Sequence, residues 1–366
     1  MEEQAKFFEN SKILSPEISK EVLDKGALAF GVLRTGLYLI EGLSLPIVHF
    51  LATGKKRARP RNRDLMLRRS LQELFKLLKR DSENISNGIY PVSVLKPEWP
   101  RQHLLRLPRI WWDGFFLAKR RTRNEAHQFG GEAQEFLRDL PDYYKRNFHY
   151  QSEGYLSKKS ADLYEHQVEI LFAGAADAMR RLLLPHLKAK FKHTNGEGLR
   201  FLEIGSGTGT LTRSVRLTFP KAKIVCLDLS HPYLKKAQEY LQKYNRIDFI
   251  QGDAAEMPFA AEKFDAVISC FLFHELPLDI RKKVIAESMR VLKPGGFFGL
   301  VDSVQKDDVK DFEWALNQFP VDFHEPFYKN YTMNSMEGLL KAAGLQNICS
   351  EVGFYSKVCA AEKSEI

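Results

Sequence analysis

Between residues 199 and 301, short apolar runs alternate with stretches of helical periodicity, and this alternation leaves few folds open. Residues 199–204 read as a strand ending at glycines, 210–219 as a helix stopped by Pro220, and 222–227 as a second strand. Ser230, ahead of His231-Pro232, reads as a helix start, and Tyr233, Leu234, Ala237 and Leu241 give that helix one apolar face. Strands follow at 247–250 and 264–269. A helix over 279–292, broken by Pro294-Gly295-Gly296, leads to a fifth strand at 297–301. A last helix at 336–343 is capped by Gly344, and 346–351 pairs with 354–360 as an antiparallel hairpin. Strands and helices in this order bury a mostly parallel sheet between helical layers. The expected fold class is α/β, with a seven-stranded, mostly parallel sheet and helices on both faces over 199–366.

The first strand runs into Glu203-Ile204-Gly205-Ser206-Gly207-Thr208-Gly209. A glycine-rich turn between a strand and a helix lets backbone approach a ligand closely. Dinucleotide sites use Gly-x-Gly-x-x-Gly to seat a pyrophosphate at the helix N-terminus. Here the spacing is Gly-x-Gly-x-Gly with a carboxylate two residues upstream, which suits a ligand that carries positive charge and no pyrophosphate. Asp228 ends the second strand, where an acidic side chain can accept both hydroxyls of a ribose. Asp253, in Gly252-Asp253-Ala254 after the third strand, can meet the exocyclic amine of adenine, although an Asp there also serves as a cap or turn former. All these residues fall on the carboxyl edge of one sheet, where open α/β folds bind ligands.

Residues 201–214, 225–237, 247–259, 264–277 and 290–300 resemble the successive motifs of class I S-adenosylmethionine-dependent methyltransferases, which have a Rossmann-like fold. Within them, Gly252-Asp253-Ala254-Ala255-Glu256-Met257-Pro258-Phe259 and Arg290-Val291-Leu292-Lys293-Pro294-Gly295-Gly296 are similar to the ubiquinone/menaquinone-biosynthesis type of small-molecule methyltransferase. The resemblance covers 199–357 and implies S-adenosyl-L-methionine as cofactor. It places Glu203, Gly205, Ser206, Gly207 and Gly209 around the methionine part, Asp228 and Leu229 at the ribose, and Asp253 and Ala254 at the adenine. Ser269-Cys270-Phe271 would line the methyl-transfer side, with Tyr155 also at the cofactor. The long helical N-terminal part departs from the quinone enzymes.

Methyl transfer is an in-line displacement in which the protein mainly aligns the nucleophile and excludes water. A base helps where the acceptor must lose a proton. His274-Glu275, just past the fourth strand, is the best-placed pair, since a histidine titrates near neutrality. Packing under the adenine is the competing role for His274. His324, in the His324-Glu325 pair of the insert before the last helix, is a second catalytic candidate; forming a substrate wall is its alternative. Two His-Glu pairs could suggest a metal, but only if their loops converged, which sequence does not show, and Cys226, Cys270, Cys349 and Cys359 fall in no metal-ligand spacing, so no metal is expected. The cysteines read as buried, reduced thiols of a cytosolic protein.

The remainder divides into a helical N-terminal domain at 1–140 and a helical lid or linker at 141–198. Tyr143, Tyr144, Phe148, His149, Tyr150 and Tyr155 suit a lid that dries the site on closure, or core packing between the two domains. Residues 27–52 are almost wholly apolar, broken by Arg34, Glu41 and His49. Two charges near the middle make spanning a bilayer costly. The basic run 55–63 follows at once. An apolar helix beside such a run can sit on an anionic membrane surface, giving peripheral contact through 27–63; a buried helix with a solvated loop is the alternative.

Basic charge is concentrated in 51–150, with 22 Lys and Arg against 11 Asp and Glu, whereas 201–366 holds 20 against 22. The near-neutral catalytic half argues against nucleic acid as a partner, although Trp99, Trp111 and Trp112 lie among arginines and could stack on bases. The opening Met-Glu-Glu-Gln lacks the basic-then-apolar order of a signal peptide, so a cytoplasmic place, peripheral to the inner face of the membrane, is expected. The expected function is methyl transfer from S-adenosylmethionine to a small lipophilic acceptor. The alternatives are an RNA or protein methyltransferase holding a polymer on the basic domain, and a non-catalytic cofactor-binding protein.

Overall fold

A computed structural model describes residues 19–55, 63–96, 100–123, 129–138, 140–146, 153–309 and 312–365. Phe148, His149, Tyr150, Trp99 and most of the basic run 55–63 lie outside these residues. Seven strands, β1 (Arg200–Ile204), β2 (Lys223–Asp228), β3 (Ile247–Gln251), β4 (Phe264–Cys270), β5 (Leu292–Ser303), β6 (Gln346–Gly353) and β7 (Ser356–Glu362), form one sheet in the order β3-β2-β1-β4-β5-β7-β6. Only β7 is antiparallel to its neighbours. This is the Rossmann-like sheet expected. Strands β1, β2 and β4 are buried on both faces, which is why they read as apolar runs rather than alternating patterns. Strand order reverses between β1 and β4, and a crevice opens at their carboxyl ends.

Helices α1 (Lys20–Gly42), α2 (Leu45–Thr53), α3 (Arg63–Ser86), α4 (Pro100–Arg123), α5 (Gly131–Leu137), α6 (Lys158–Leu171), α7 (Ala176–Arg180) and α8 (Leu183–Lys190) precede the sheet. Helices α9 (Thr210–Thr218), α10 (His231–Leu241), α11 (Leu278–Val291), α12 (Glu313–Phe323), α13 (Tyr328–Met333) and α14 (Met336–Ala342) follow β1. Three details differ from the sequence reading. The apolar stretch 27–52 is two helices, because Pro46 in the first turn of α2 cannot continue the hydrogen bonding of α1, and the chain breaks at Leu43-Ser44. Pro294-Gly295-Gly296 does not end the preceding helix but lies inside β5. Leu292 pairs with Phe264 and Phe297 with Ala266, and Gly295 takes φ +67° in the bulge between them. Cys349 is exposed on edge strand β6 rather than buried, with its Sγ 3.7 Å from His186 Nδ1.

The helical part and the sheet share one core. Leu74, Leu77, Ile85 and Tyr90 are buried in the same cluster as Leu183, Leu211, Phe219 and Ile268. Ion pairs tie the helices of the front part to one another, and bonds from the glycine turn and the helix after it reach back to them. Arg181 donates from Nε and Nη2 to both oxygens of buried Asp81, at 2.8 and 2.7 Å, and Tyr90 donates to the same carboxylate at 2.7 Å. Arg34 on α1 pairs with Glu169 and Asp177 at 2.8 and 3.0 Å. Arg213, on the helix after the glycine turn, donates to the carbonyls of Val94, Ser93 and Lys96 at 3.0, 2.9 and 2.9 Å. Thr208, in the turn itself, donates to Glu165 on α6.

Candidate active site

The turn after β1 holds Gly205, Gly207 and Gly209 at positive φ. A Cβ on Gly207 would meet nothing within 4 Å, so this backbone faces open space at the crevice. A Cβ on Gly209 would fall 2.7 Å from Leu241 Cδ1, so this glycine serves close packing against α10. Asp228, at the end of β2, accepts the backbone N–H of Gly207 at 2.7 Å and of Ser230 at 2.8 Å. Burial pushes its carboxyl up to about 6, and those two N–H groups oppose the rise. Each carboxylate oxygen keeps a second lone pair for a ligand. Glu203 lies buried beneath the turn, accepting Thr212 Oγ1 at 2.6 Å, and burial lifts its carboxyl to about 8.

Tyrosines from the preceding segment close the crevice. Tyr143 donates to Asp253 Oδ1 at 2.9 Å, and Ala255 N–H donates to the same oxygen at 2.7 Å. Tyr155 packs edge-to-face on Tyr164 and Tyr233 and donates to Glu275 at 2.5 Å. Of the residues chosen from sequence, Tyr155, Gly205, Gly207, Asp228, Leu229, Ala254, Cys270 and Glu275 line this crevice. Glu203, Ser206, Gly209, Asp253, His274 and His324 do not form its walls.

His274 faces a second, adjoining chamber of about 250 Å³, which shares Tyr164, Phe271 and Glu275 with the first. Its Nδ1–H donates to Asp302 Oδ1 at 2.6 Å, while Asp302 Oδ2 accepts the backbone N–H of Phe273 and His274 at 2.7 and 3.3 Å. Burial alone would depress the imidazole, but the Asp302 carboxylate and its hydrogen bond outweigh it and lift His274 to about 9. Nε2 is left toward Glu275, 3.9 Å away. His324 ends α12 in the left-handed region, and it is the neighbouring, buried Glu325 that joins the pair. His274, Glu275 and Glu325 offer one donor atom each within 4.8 Å of one another, a set that spacing alone did not foretell and that a divalent ion could use.

Asp302 and Tyr164 are not singled out by the sequence, and Glu325 is marked there only as the neighbour of His324. Asp302 was findable, because it is an acid at the carboxyl end of β5, one residue before the last, much as Asp228 ends β2. Tyr164 reaches the chamber from a helix, and Glu325 reaches His274 and Glu275 from an insert, along paths that no local pattern sets.

Residues 201–296 match the family model described as a methyltransferase domain. Over 155 residues the chain is 30% identical to the sterol 24-C-methyltransferase of Debaryomyces hansenii, covering 41% of this chain and 40% of that one. It is 30% identical over 149 residues to the fatty-acid O-methyltransferase of Mycolicibacterium smegmatis, covering 40% and 52%. The chain thus spans about half or less of the length of these curated relatives. A crystal structure of an S-adenosylmethionine-dependent methyltransferase from Aquifex aeolicus superposes with a TM-score of 0.38 at 22% identity, covering 50% of this chain and 92% of that one. Residues 201–296, from β1 into β5, are therefore a methyltransferase domain.

Proposed function

We propose that the whole protein moves a methyl group from S-adenosylmethionine to a small lipophilic acceptor by in-line displacement, working at a membrane surface. The observation that carries this reading is the shared wall of Tyr164, Phe271 and Glu275, where a cofactor crevice meets an apolar chamber with one polar end. The residues fit the cofactor: Gly207 leaves room for close backbone approach, and buried Glu203 would ionise beneath a cation. Bound S-adenosylmethionine supplies a methyl group already activated by its sulfonium. Asp228 would hold the ribose hydroxyls with its remaining lone pairs, and Asp253 and Ala254 would flank the adenine. Tyr143, Tyr144 and Tyr155 exclude water, consistent with 141–198 as a lid, 1–140 as an acceptor-handling domain and 199–366 as the catalytic domain. His274, with Nδ1 fixed by Asp302, would take the acceptor's proton at Nε2, and Glu275 would orient it. A catalytic part for His324 would be indirect, through the position of Glu325. The sterol and fatty-acid methyltransferases among the relatives support a lipophilic acceptor.

Calorimetry with S-adenosylmethionine tests the core of this reading, and an absence of binding would sink it. Asp228→Ala is expected to weaken cofactor affinity about tenfold or more, the ~1.5–3 kcal/mol of a hydrogen bond to a charged group. Unchanged affinity removes Asp228 from the ribose.

The membrane part rests on how α1 and α2 are turned. Their charged breaks face inward, Arg34 to Glu169 and Asp177, and Glu41 to buried His166 at 2.8 Å. Leu33, Ile40, Leu43, Ile47 and Leu51 face outward, each more than half exposed. Among the described residues, Lys20–Thr53 is the stretch whose length and composition suffice to cross a membrane. With its charges held by the protein, we place its outer face on the bilayer, on the cytoplasmic side. Sedimentation with anionic liposomes at low salt should capture the wild type, while Leu33→Glu/Ile40→Glu should stay in solution. Equal recovery of both would remove the membrane contact.

A further inference from the structure

The chamber at His274 continues beyond the catalytic half. Its apolar walls are Trp314, Leu316 and Phe319 on one side and Val168, Leu171 and Phe172 on the other. A second cavity, of about 170 Å³, lies among α2, α4 and α6, with Leu45, Val48, Ile110, Leu117 and Ala118 in its walls. The two cavities share four wall residues, Tyr164, Val168, Leu171 and Phe323, so they adjoin along α6, three of the four lying on it at i, i+4 and i+7. From Tyr164 to Leu171 the helix rises about 10 Å, which sets the length of the shared wall. Helix α2 turns Leu45 and Val48 onto the second cavity and Ile47 and Leu51 to the outside, so one helix is both cavity wall and proposed membrane face.

Polar groups gather at the opposite end. His274, Glu275, Ser303 and Tyr328 line the first chamber, and Glu325 lies against His274 and Glu275. Carboxyl oxygens of Glu275 and Glu325 gather at that end within 4.8 Å of each other and of a His274 ring nitrogen. A hydroxyl or amine head would find acceptors there, whereas a carboxylate head, which only accepts, would be set beside two carboxyl groups. Two adjoining chambers also suit a flexible chain better than a rigid fused-ring body, which needs one wide space.

We infer that the acceptor is a linear alkyl amphiphile with an uncharged or cationic head. The head is held at His274 and the tail passes α6 into the cavity between α2 and α4. This deepens the methyltransferase reading above and rests on it. Each methylene that reaches the second cavity should strengthen binding about fourfold, until the cavity is filled.

The test uses the full chain and a long-chain alkan-1-ol bearing a diazirine at its far end, cross-linked by light and mapped by peptide mass spectrometry. Labels are expected on 45–48 and 110–118. Affinities for plain alkan-1-ols, from hexanol to hexadecanol, should climb with length and then level off. Gly114→Leu fills the second cavity, since a Cβ there already stands 3.7 Å from Val48 Cγ1, and it raises helix propensity. It should weaken binding about tenfold or more for the longest alcohols, with a loss that shrinks as the chain shortens. Labels confined to 201–296, or affinity independent of length, would overturn the tail path. Equal binding of alkanoic acids of matched length would overturn the head assignment. Failure of the methyltransferase reading shows separately, as a wild-type protein that does not bind S-adenosylmethionine.

Discussion

His274→Gln is expected to lower the rate of methyl transfer about 10²- to 10⁴-fold, the span typical of a positioned general base, with little change in cofactor affinity. The accompanying pH profile separates a base from a packing residue. Asp302 holds the imidazole at about 9, so the neutral, proton-accepting form grows as pH rises, and the wild-type rate should climb on an alkaline limb near that value. In Asp302→Asn the largest group raising the imidazole is gone, leaving only the smaller pull of Glu275 and Glu325 against burial, so the limb should move to lower pH. A limb unmoved by Asp302→Asn, or a kcat unchanged in His274→Gln, would leave His274 a structural residue. The same shift has a stability side. A histidine whose folded-state value lies above its unfolded one of 6.5 contributes stability that is fully present below that pH. That contribution is lost as pH rises through about 9, so thermal unfolding should occur at lower temperature across that window.

The second large effect is on stability. Asp81→Ala removes the partner of Arg181 while leaving the guanidinium buried, and also frees the hydroxyl of Tyr90. Breaking a buried pair from one side costs about 3–5 kcal/mol. Because Asp81 lies on α3 and Arg181 just after α7, the loss strikes the join between two helices of the front part, 100 residues apart in sequence. Chemical denaturation should show the unfolding free energy falling by that amount and the midpoint moving to lower denaturant in proportion. An Asp81→Ala/Arg181→Met double variant should recover most of it, since an apolar side chain of similar length needs no partner. A drop of less than about 1 kcal/mol in the single variant would mean that Arg181 reaches water.

Elements of the sheet were legible because their burial imposes runs that few other folds need: Phe201, Leu202 and Ile204 in β1, and Ile224 to Leu227 in β2. The crevice was legible where backbone conformation dictates residue type, at Gly205 and Gly207, and where an acid ends a strand, at Asp228. Legibility failed where a side chain's partner is distant in sequence. Glu203 looks like a ligand-facing carboxylate, yet Thr212 and burial hold it beneath the turn. Asp253 looks open to adenine, yet Tyr143, 110 residues earlier, bonds to it. The His274–Asp302 pair joins two strand ends 28 residues apart, and only the register of β4 on β5 brings them together. The apolar stretch 27–52 was seen as apolar, but Arg34 and Glu41 looked like flaws in it; their inward pairing with Glu169, Asp177 and His166 is tertiary.

The grip of Val94, Ser93 and Lys96 on Arg213, and of Glu165 on Thr208, bears on how far this chain is modular. A chimera that exchanged the front half for that of another methyltransferase would strip three carbonyl acceptors from a buried guanidinium and one carboxylate from the cofactor turn. If the front half handles the acceptor as proposed, acceptor choice and donor binding are coupled through these bonds. Any graft would have to carry 93–96 and Glu165 along with the foreign helices.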